Sequence, residues 1–142
     1  LSERCRYWLW HRGAGYGGLA RPAFYNQNKV AIVPMGFCFP GYDSKGADLP
    51  PPAICRQTWH SEVLGHVEPV PLKLLIGGYA QKYHLGIKAG VTDVVRNWRD
   101  HWPNVLPLPH PSWRNTAWLK KNPWFEAEVL PALRTRVAEV MA

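Results

Sequence analysis

A histidine between two prolines is the residue of this chain whose neighbours most favour chemistry. His110 follows Pro109 and precedes Pro111. The prolines restrict the backbone, which reduces the entropy lost in aiming the ring. An imidazole can donate a hydrogen bond to a developing anion, or act as an acid or base near neutral pH. A surface histidine in a proline-rich turn is the alternative interpretation.

Polar and cationic residues follow this histidine. Ser112 and the backbone N–H groups at the start of the next helix suit a phosphate, and Arg114 adds a cation. A simpler interpretation is that Ser112 or Asn115 caps that helix. The segment is therefore a candidate anion-binding loop.

Two cysteines flank a long loop of turn-forming residues. Cys38 and Cys55 could be metal ligands, although buried structural thiols are an alternative. A closed zinc or iron–sulfur site needs four ligands, and the third cysteine is Cys5. An odd number of cysteines without a secretion signal argues against a disulfide framework.

The composition is that of one globular domain with a basic surface. The chain has 142 residues, of which 46% are hydrophobic, and a formal net charge of +7. This charge favours a polyanionic partner such as nucleic acid, although a ribosomal or membrane-surface protein could share it. The eight tryptophans stand beside basic residues in several places, which suits base stacking or, alternatively, anchoring of the core.

Long apolar runs and signal-peptide features are missing from the sequence. No run of about 18 apolar residues occurs, and no cationic region leads into an apolar one at the beginning. We therefore expect a cytoplasmic monomer with no membrane partner.

Three short apolar runs predict strands, and helical patterns separate them. The predicted strands are 29–34, 72–76 and 105–108, and the predicted helices are 2–10, 52–67, 79–85, 92–102, 115–121 and 123–141. Alternating strands and helices predict an α/β fold with a parallel sheet. Ligands bind such sheets where strands end, so the loops after Pro34, Ile76 and Leu108 are candidate sites.

Three details of the helices can be compared with the structure. We expect Thr92 to cap its helix and Pro131 to kink or divide the last one. The helix over 52–67 is expected to turn these residues inward: Ile54, Thr58 or Trp59, and Val63.

The stretch "HPSWRN" after a short strand resembles the second active-site motif of the uracil-DNA glycosylase superfamily, which carries His-Pro-Ser. The stretches "AIVPMGFCFPG", "GADLPPPAIC", "LLIGGYAQKYHLG" and "NPWFEAEVLPALR" resemble a bacterial group of this superfamily, in the same order. The resemblance covers about residues 29–137.

The resemblance implies one domain over residues 1–142, a three-layer α/β/α sandwich around a short parallel sheet. It implies cleavage of the bond between deoxyribose and uracil, or another damaged base, during base excision repair of DNA. The target nucleotide is turned out of the stack. His110 is then expected against the uracil carbonyl, where it stabilises the departing anion.

The resemblance also implies contacts to DNA. Ser112 is expected at a backbone phosphate, and Asn115 belongs to the same DNA-binding loop. Trp113 and Arg114 are expected to fill or probe the duplex where the base was. Most relatives have proline at the position of Trp113.

Recognition of the base is expected to differ from that of many members. They contact uracil with an asparagine at the position of Pro34. Backbone groups around Met35 and Gly36 are the expected replacement. Phe37 and Phe39 are expected to stack on the base, while core packing is an equal alternative for one of them.

In iron–sulfur members, two cluster ligands flank a proline-rich loop, which makes Cys38 and Cys55 candidate ligands of a [4Fe–4S] cluster. The family's Cys-x-x-Cys pair and its first motif, Gly-(Gln/Glu)-x-Pro-Gly, do not occur in the sequence. We expect the first motif and its strand before Leu1. A catalytically inactive nucleic-acid-binding module and a structural α/β module are the alternative functions.

Overall fold

The structure is a computed structural model that describes residues 15–67, 69–112 and 115–142. The helix predicted over residues 2–10 lies outside them. The chain divides into two compact units, which are described separately. Unit 1 comprises Leu1–Val30 and Pro71–Ala142, and unit 2 comprises Ala31–Val70.

Helices make up most of the regular secondary structure of the described residues. The helices are α1 (Gly15–Gly17), α2 (Arg21–Phe24), α3 (Ala53–Cys55), α4 (Ser61–Val67), α5 (Gly77–Leu85), α6 (Val91–Arg96), α7 (Thr116–Lys121) and α8 (Leu130–Met141). The strands are β1 (Lys73–Ile76) and β2 (Val105–Leu108). Two π-helical segments, Arg56–His60 and Phe125–Val129, lead directly into α4 and α8, and a 3-10 turn covers Trp98–Asp100.

The two strands of unit 1 form a short parallel sheet. Lys73 is opposite Val105, and Ile76 is opposite Leu108. Parallel neighbours need a crossover connection, and here the chain passes through α5 and α6 between them. The predicted α/β class, with a short parallel sheet, is confirmed.

The strand predicted over residues 29–34 is wrong, since these residues adopt no regular structure. A β-branched run becomes a strand only where a neighbouring strand can accept its backbone hydrogen bonds. Here the carbonyl oxygen of Pro34 accepts a hydrogen bond of 2.9 Å from Nε2 of His60 instead. Ile32 keeps 38% of its surface exposed.

The core of unit 1 lies between β2, α6 and the last helix. Helix α8 contributes Leu130, Leu133 and Val137, whose spacing of three and four residues places them on one face. The buried cluster consists of Val95, Trp98, Leu106, Leu108, Phe125, Val129, Leu130, Leu133 and Val137. The chain is helical on both sides of Pro131, and the predicted division falls one residue before it, where the π-helical segment ends and α8 begins.

The inward face predicted for the helix of unit 2 is wrong in its first half, where Thr58 is also exposed, whereas Val63 is half-buried. Ile54 is 64% exposed and Trp59 is 53% exposed, whereas Cys55 and His60 are buried. A π-helical turn contains one residue more than an α-helical turn. Residues five positions apart therefore lie on the same face of a π-helical segment, whereas in an α-helix residues four positions apart do so. Cys55 and His60 have this spacing.

Two further predictions for unit 1 need correction. Helix α6 begins at Val91 after Gly90, so Thr92 is not its cap. The Thr92 hydroxyl instead accepts a hydrogen bond of 2.8 Å from the indole N–H of Trp118. The segment over residues 11–29, whose glycines and proline predict a loop, contains α1 and α2. Among the residues with described structure, no helix combines the length and hydropathy needed to cross a bilayer.

Candidate active site

His110 stands two residues beyond the end of β2. Pro109 and Pro111 on either side of it are almost completely buried, so the backbone is anchored before and after the histidine. His110 itself is partly exposed to solvent. The structure thus places the imidazole at the carboxyl end of a parallel strand, where α/β sheets bind ligands.

Ser112 and Asn115 hold the backbone of His110 by hydrogen bonds. The carbonyl oxygen of His110 accepts a hydrogen bond of 2.8 Å from the N–H of Ser112. The side-chain amide of Asn115 donates to the same oxygen, and the Asn115 N–H donates to the Ser112 carbonyl at 3.0 Å. Asn115 therefore holds the loop that carries His110. The DNA contacts predicted for Trp113 and Arg114 lie outside the described residues.

The imidazole lies over the first residue of α5. Gly77 has φ +82°, and a Cβ added there would lie 3.6 Å from Cβ and 3.8 Å from Cδ2 of His110. The segments that follow β1 and β2 therefore meet at the histidine, as expected for loops at the same edge of a parallel sheet.

The surroundings of His110 favour its neutral form. Desolvation by burial lowers the pKa of His110 from its ordinary value of 6.5, although part of the residue remains exposed. At pH 7 the ring is therefore mainly uncharged. A neutral imidazole can still donate one N–H to a ligand oxygen.

Replacing Gly77 with alanine is expected to lower the free energy of unfolding by about 1–2 kcal/mol, because its left-handed conformation disfavours a Cβ. Urea denaturation measures this loss. Gly86→Ala is the matched control, since Gly86 also has positive φ (+67°) but nothing lies within 4 Å of an added Cβ. NMR should show a shifted His110 ring signal in Gly77→Ala only. A shift in both variants, or in neither, would contradict the contact.

Gln81 is a buried residue near the site that the sequence interpretation missed. It is 2% exposed, and its Nε2 donates to the carbonyl oxygens of Leu108 at 2.8 Å and Leu75 at 3.3 Å. The apolar pattern of α5 does not mark this position as interior, because most of its neighbours are polar or small. The Gly-Gly pair directly after β1 was the available signal for a special conformation at Gly77.

Unit 2 contains a cavity in its long loop. The cavity has a volume of about 210 Å³, and the following residues line it: Gly36, Cys38, Phe39, Pro40, Asp48, Leu49 and Pro51. The tip of the loop is fixed by Asp43, whose carboxylate accepts hydrogen bonds of 2.8 Å from the N–H groups of Lys45 and Ala47. This Asx-type turn orders a segment that lacks regular secondary structure.

The structure separates the four predicted base-contacting residues. Gly36 and Phe39 line the cavity, while Phe37 packs against the buried ring of His60 at a centroid distance of 5.5 Å. Met35 is half-buried outside the cavity lining. Gly36 also has a packing role: an added Cβ would lie 3.1 Å from Cδ of a proline ring, tighter than ordinary contact.

The candidate cluster ligands lie in unit 2 and differ in exposure. Cys38 is exposed and Cys55 is buried. The sequence has three cysteines, of which Cys5 lies outside the described residues, whereas a [4Fe–4S] cluster needs four thiolates. Within the described segments, no three His, Cys, Asp or Glu side chains are grouped around a possible metal position. The three cysteines of the sequence are one too few for a complete [4Fe–4S] cluster. The assignment of Cys38 and Cys55 as two of its ligands stays a prediction.

The paired aromatic and basic residues of unit 1 contact one another. The Arg99 guanidinium lies 4.5 Å from the ring centroid of the buried Trp98 and also binds Glu128 at 2.9 Å. Arg96 lies 5.0 Å from the ring of Trp124. The described tryptophans of unit 1 lie in the core or pack against it, as the alternative interpretation expected, and the two cations cover the rings of Trp98 and Trp124.

Comparison with known protein families identifies the superfamily of the chain. The family model described as the uracil DNA glycosylase superfamily matches residues 5–134. The chain belongs to the uracil-DNA glycosylase superfamily. The match includes both strands, the His110 loop and the loop of unit 2, and it confirms the membership predicted from the motifs. Uracil-DNA glycosylase superfamily members are typically hydrolases that act on DNA.

Proposed function

We propose that this chain releases uracil, or another altered base, from DNA by hydrolysis of the bond between the base and deoxyribose. Water supplies the hydroxyl group that bonds to the sugar carbon and the proton that the base finally carries. His110 donates a hydrogen bond to the base as negative charge develops on it. The target nucleotide is turned out of the stack to reach this donor.

The held backbone of His110, at the carboxyl end of β2, is the observation that carries this proposal. This backbone lies between two buried prolines, and its carbonyl oxygen is held by the Ser112 N–H and the Asn115 amide. Donors that are positioned before the reaction need no reorganisation when charge develops. A net charge of +7 supports a polyanionic substrate.

The deciding experiment is abasic-site formation by the whole chain on single- and double-stranded oligonucleotides that contain one uracil. Cleavage of the strand after alkaline treatment is expected for the uracil oligonucleotide and not for its thymine counterpart. Binding to both oligonucleotides without any base release would instead support the inactive nucleic-acid-binding module.

The pH dependence of base release should reveal which form of His110 acts. Because the pKa of His110 is lowered below 6.5, the ring stays neutral as pH rises above this value. We therefore expect kcat to remain level between pH 6.5 and about 8. A tenfold loss of kcat per pH unit in that range would mean that the protonated ring is the donor.

The same pKa shift links stability to pH. The unfolded chain binds a proton at His110 more readily than the folded chain does. Protonation of His110 therefore lowers the free energy of unfolding as pH falls below about 6.5. The contribution of His110 to stability is fully present above that pH. In His110→Gln this part of the acid sensitivity should be absent.

For unit 2, taken by itself, we propose that the cavity lined by Gly36 and Phe39 contacts a nucleobase of the DNA. A volume of about 210 Å³ suits a flat group smaller than a drug-sized ligand. The Phe39 ring is 64% exposed and is held edge-to-face by Tyr42 at 4.9 Å. A supported and exposed ring of this kind can stack on a nucleobase.

Replacing Phe39 with alanine is expected to raise KM for uracil-containing DNA about tenfold, since one stacked base contributes about 1–3 kcal/mol. The melting temperature should change little, because the ring is mostly exposed. Ile54→Ala is the control: Ile54 is equally exposed at 64% but does not line the cavity. Equal KM values for the two variants would refute the stacking role.

A further inference from the structure

We propose that Gln81 is a positioning residue for His110: its side-chain amide ties the end of β1 to the end of β2 and thereby fixes the loop that presents the imidazole. The inference rests on the proposed function, because the position of His110 affects a rate only if His110 takes part in the reaction.

The side-chain amide of Gln81 donates one hydrogen bond to a backbone carbonyl of each strand. Its Nε2 donates to the carbonyl oxygen of Leu108 at 2.8 Å and to that of Leu75 at 3.3 Å. Both partners are acceptors, so the nitrogen of the amide must face them. Leu108 is the last residue of β2, and Leu75 lies one residue before the end of β1.

The amide is connected to His110 by two short routes. From Leu108, only the buried Pro109, with its fixed φ, separates the bound carbonyl from the histidine. From Gln81, one helical turn leads back to Gly77, which the His110 side chain overlies. A displacement of the amide would therefore move both the loop that carries the ring and the surface beneath it.

The buried Gln81 amide does more than occupy space in the core. Gln81 is 2% exposed, and its Oε1 has no hydrogen-bond partner among the described residues. Burying an acceptor in this way is unfavourable, and a methionine of similar volume would avoid it. The presence of glutamine indicates that its two donated hydrogen bonds are what the position requires.

Gln81→Met keeps the approximate volume of the side chain and removes both donors, so it tests the proposal directly. We expect kcat for base release to fall about 10- to 100-fold while KM changes less than about twofold, because the ring is misplaced and DNA contacts remain. NMR of the histidine-labelled protein, with the His110 signal assigned from His110→Gln, should show a shifted ring signal and a pKa closer to 6.5.

Asn122→Leu is the matched control, since it removes another buried amide of unit 1. Asn122 is 7% exposed, and its Nδ2 donates to the carbonyl of Trp118 at 2.8 Å. A purely structural loss should lower the melting temperature in both variants. The change in kcat and in the His110 signal is expected in Gln81→Met alone.

The outcomes separate this inference from the proposed function. If the unaltered chain releases no base, the proposed function fails, and the His110 signal alone decides whether Gln81 positions the ring. An unchanged signal in folded Gln81→Met overturns the inference, as does an unchanged kcat in an active protein. If Gln81→Met does not fold, Gln81→Asn, whose shorter side chain cannot reach both carbonyls, is measured in the same way.

Discussion

Replacing His110 with alanine is expected to slow base release from uracil-containing DNA by about 10²–10³-fold, the usual effect of removing one donor to a developing anion. The imidazole projects from a loop held by Ser112 and Asn115 through backbone atoms of residue 110, and these bonds do not need its ring. The fold should therefore survive the substitution. Single-turnover formation of abasic sites measures the effect on the chemical step.

The control for this substitution is His66→Ala in α4. His66 is an exposed histidine of unit 2. The control variant should keep full activity, and His110→Ala should still bind DNA, since it keeps the charged residues of the protein. Equal rates for unaltered protein and His110→Ala would refute the role of His110, even if the chain proved to be a glycosylase.

Replacing Phe125 with alanine is expected to reduce the free energy of unfolding by about 3–5 kcal/mol, the largest stability effect predicted for this chain. Phe125 has no exposed surface. Its ring contacts those of Tyr16, Trp118 and Trp124 at centroid distances of 5.4, 5.5 and 6.3 Å. Removing the ring leaves a cavity and ends all three edge-to-face contacts.

Urea denaturation followed by far-UV circular dichroism measures this loss. Phe39→Ala provides the comparison, because it removes the same ring from a position that is 64% exposed and should change stability by less than about 0.5 kcal/mol. Similar denaturation midpoints for the two variants would mean that the aromatic cluster around Phe125 is not the centre of the core.

The sequence interpretation succeeded where local information was sufficient. The runs at 72–76 and 105–108 are apolar and bounded by turn residues, so both strands could be predicted without knowledge of their neighbours. The last helix, predicted over 123–141, is helical over these residues, and its segment Phe125–Val129 is π-helical. The position of His110 after β2 followed from the strand prediction, because the proline-rich loop begins where that strand ends.

The interpretation failed where a distant partner determines the structure. The run at 29–34 has strand-forming residues, but its Pro34 carbonyl is bound to a histidine 26 residues away. In the helix of unit 2, a π-helical segment shifts the buried face from Ile54 and Trp59 to Cys55 and His60. A π-helical turn depends on packing and leaves little trace in the sequence.

By itself, the sequence determined the superfamily, the α/β class and the candidate histidine, because motif order and hydrophobic runs are local properties of the chain. Only the tertiary structure decided that Gly77 lies beneath His110 and that Gln81 joins the carbonyl ends of both strands. The hydrogen bond from Gln81 to Leu108 connects residues 27 positions apart, whereas Leu75 is only 6 positions from Gln81. The formation of these contacts depends on the parallel register of β1 and β2, which no single segment contains.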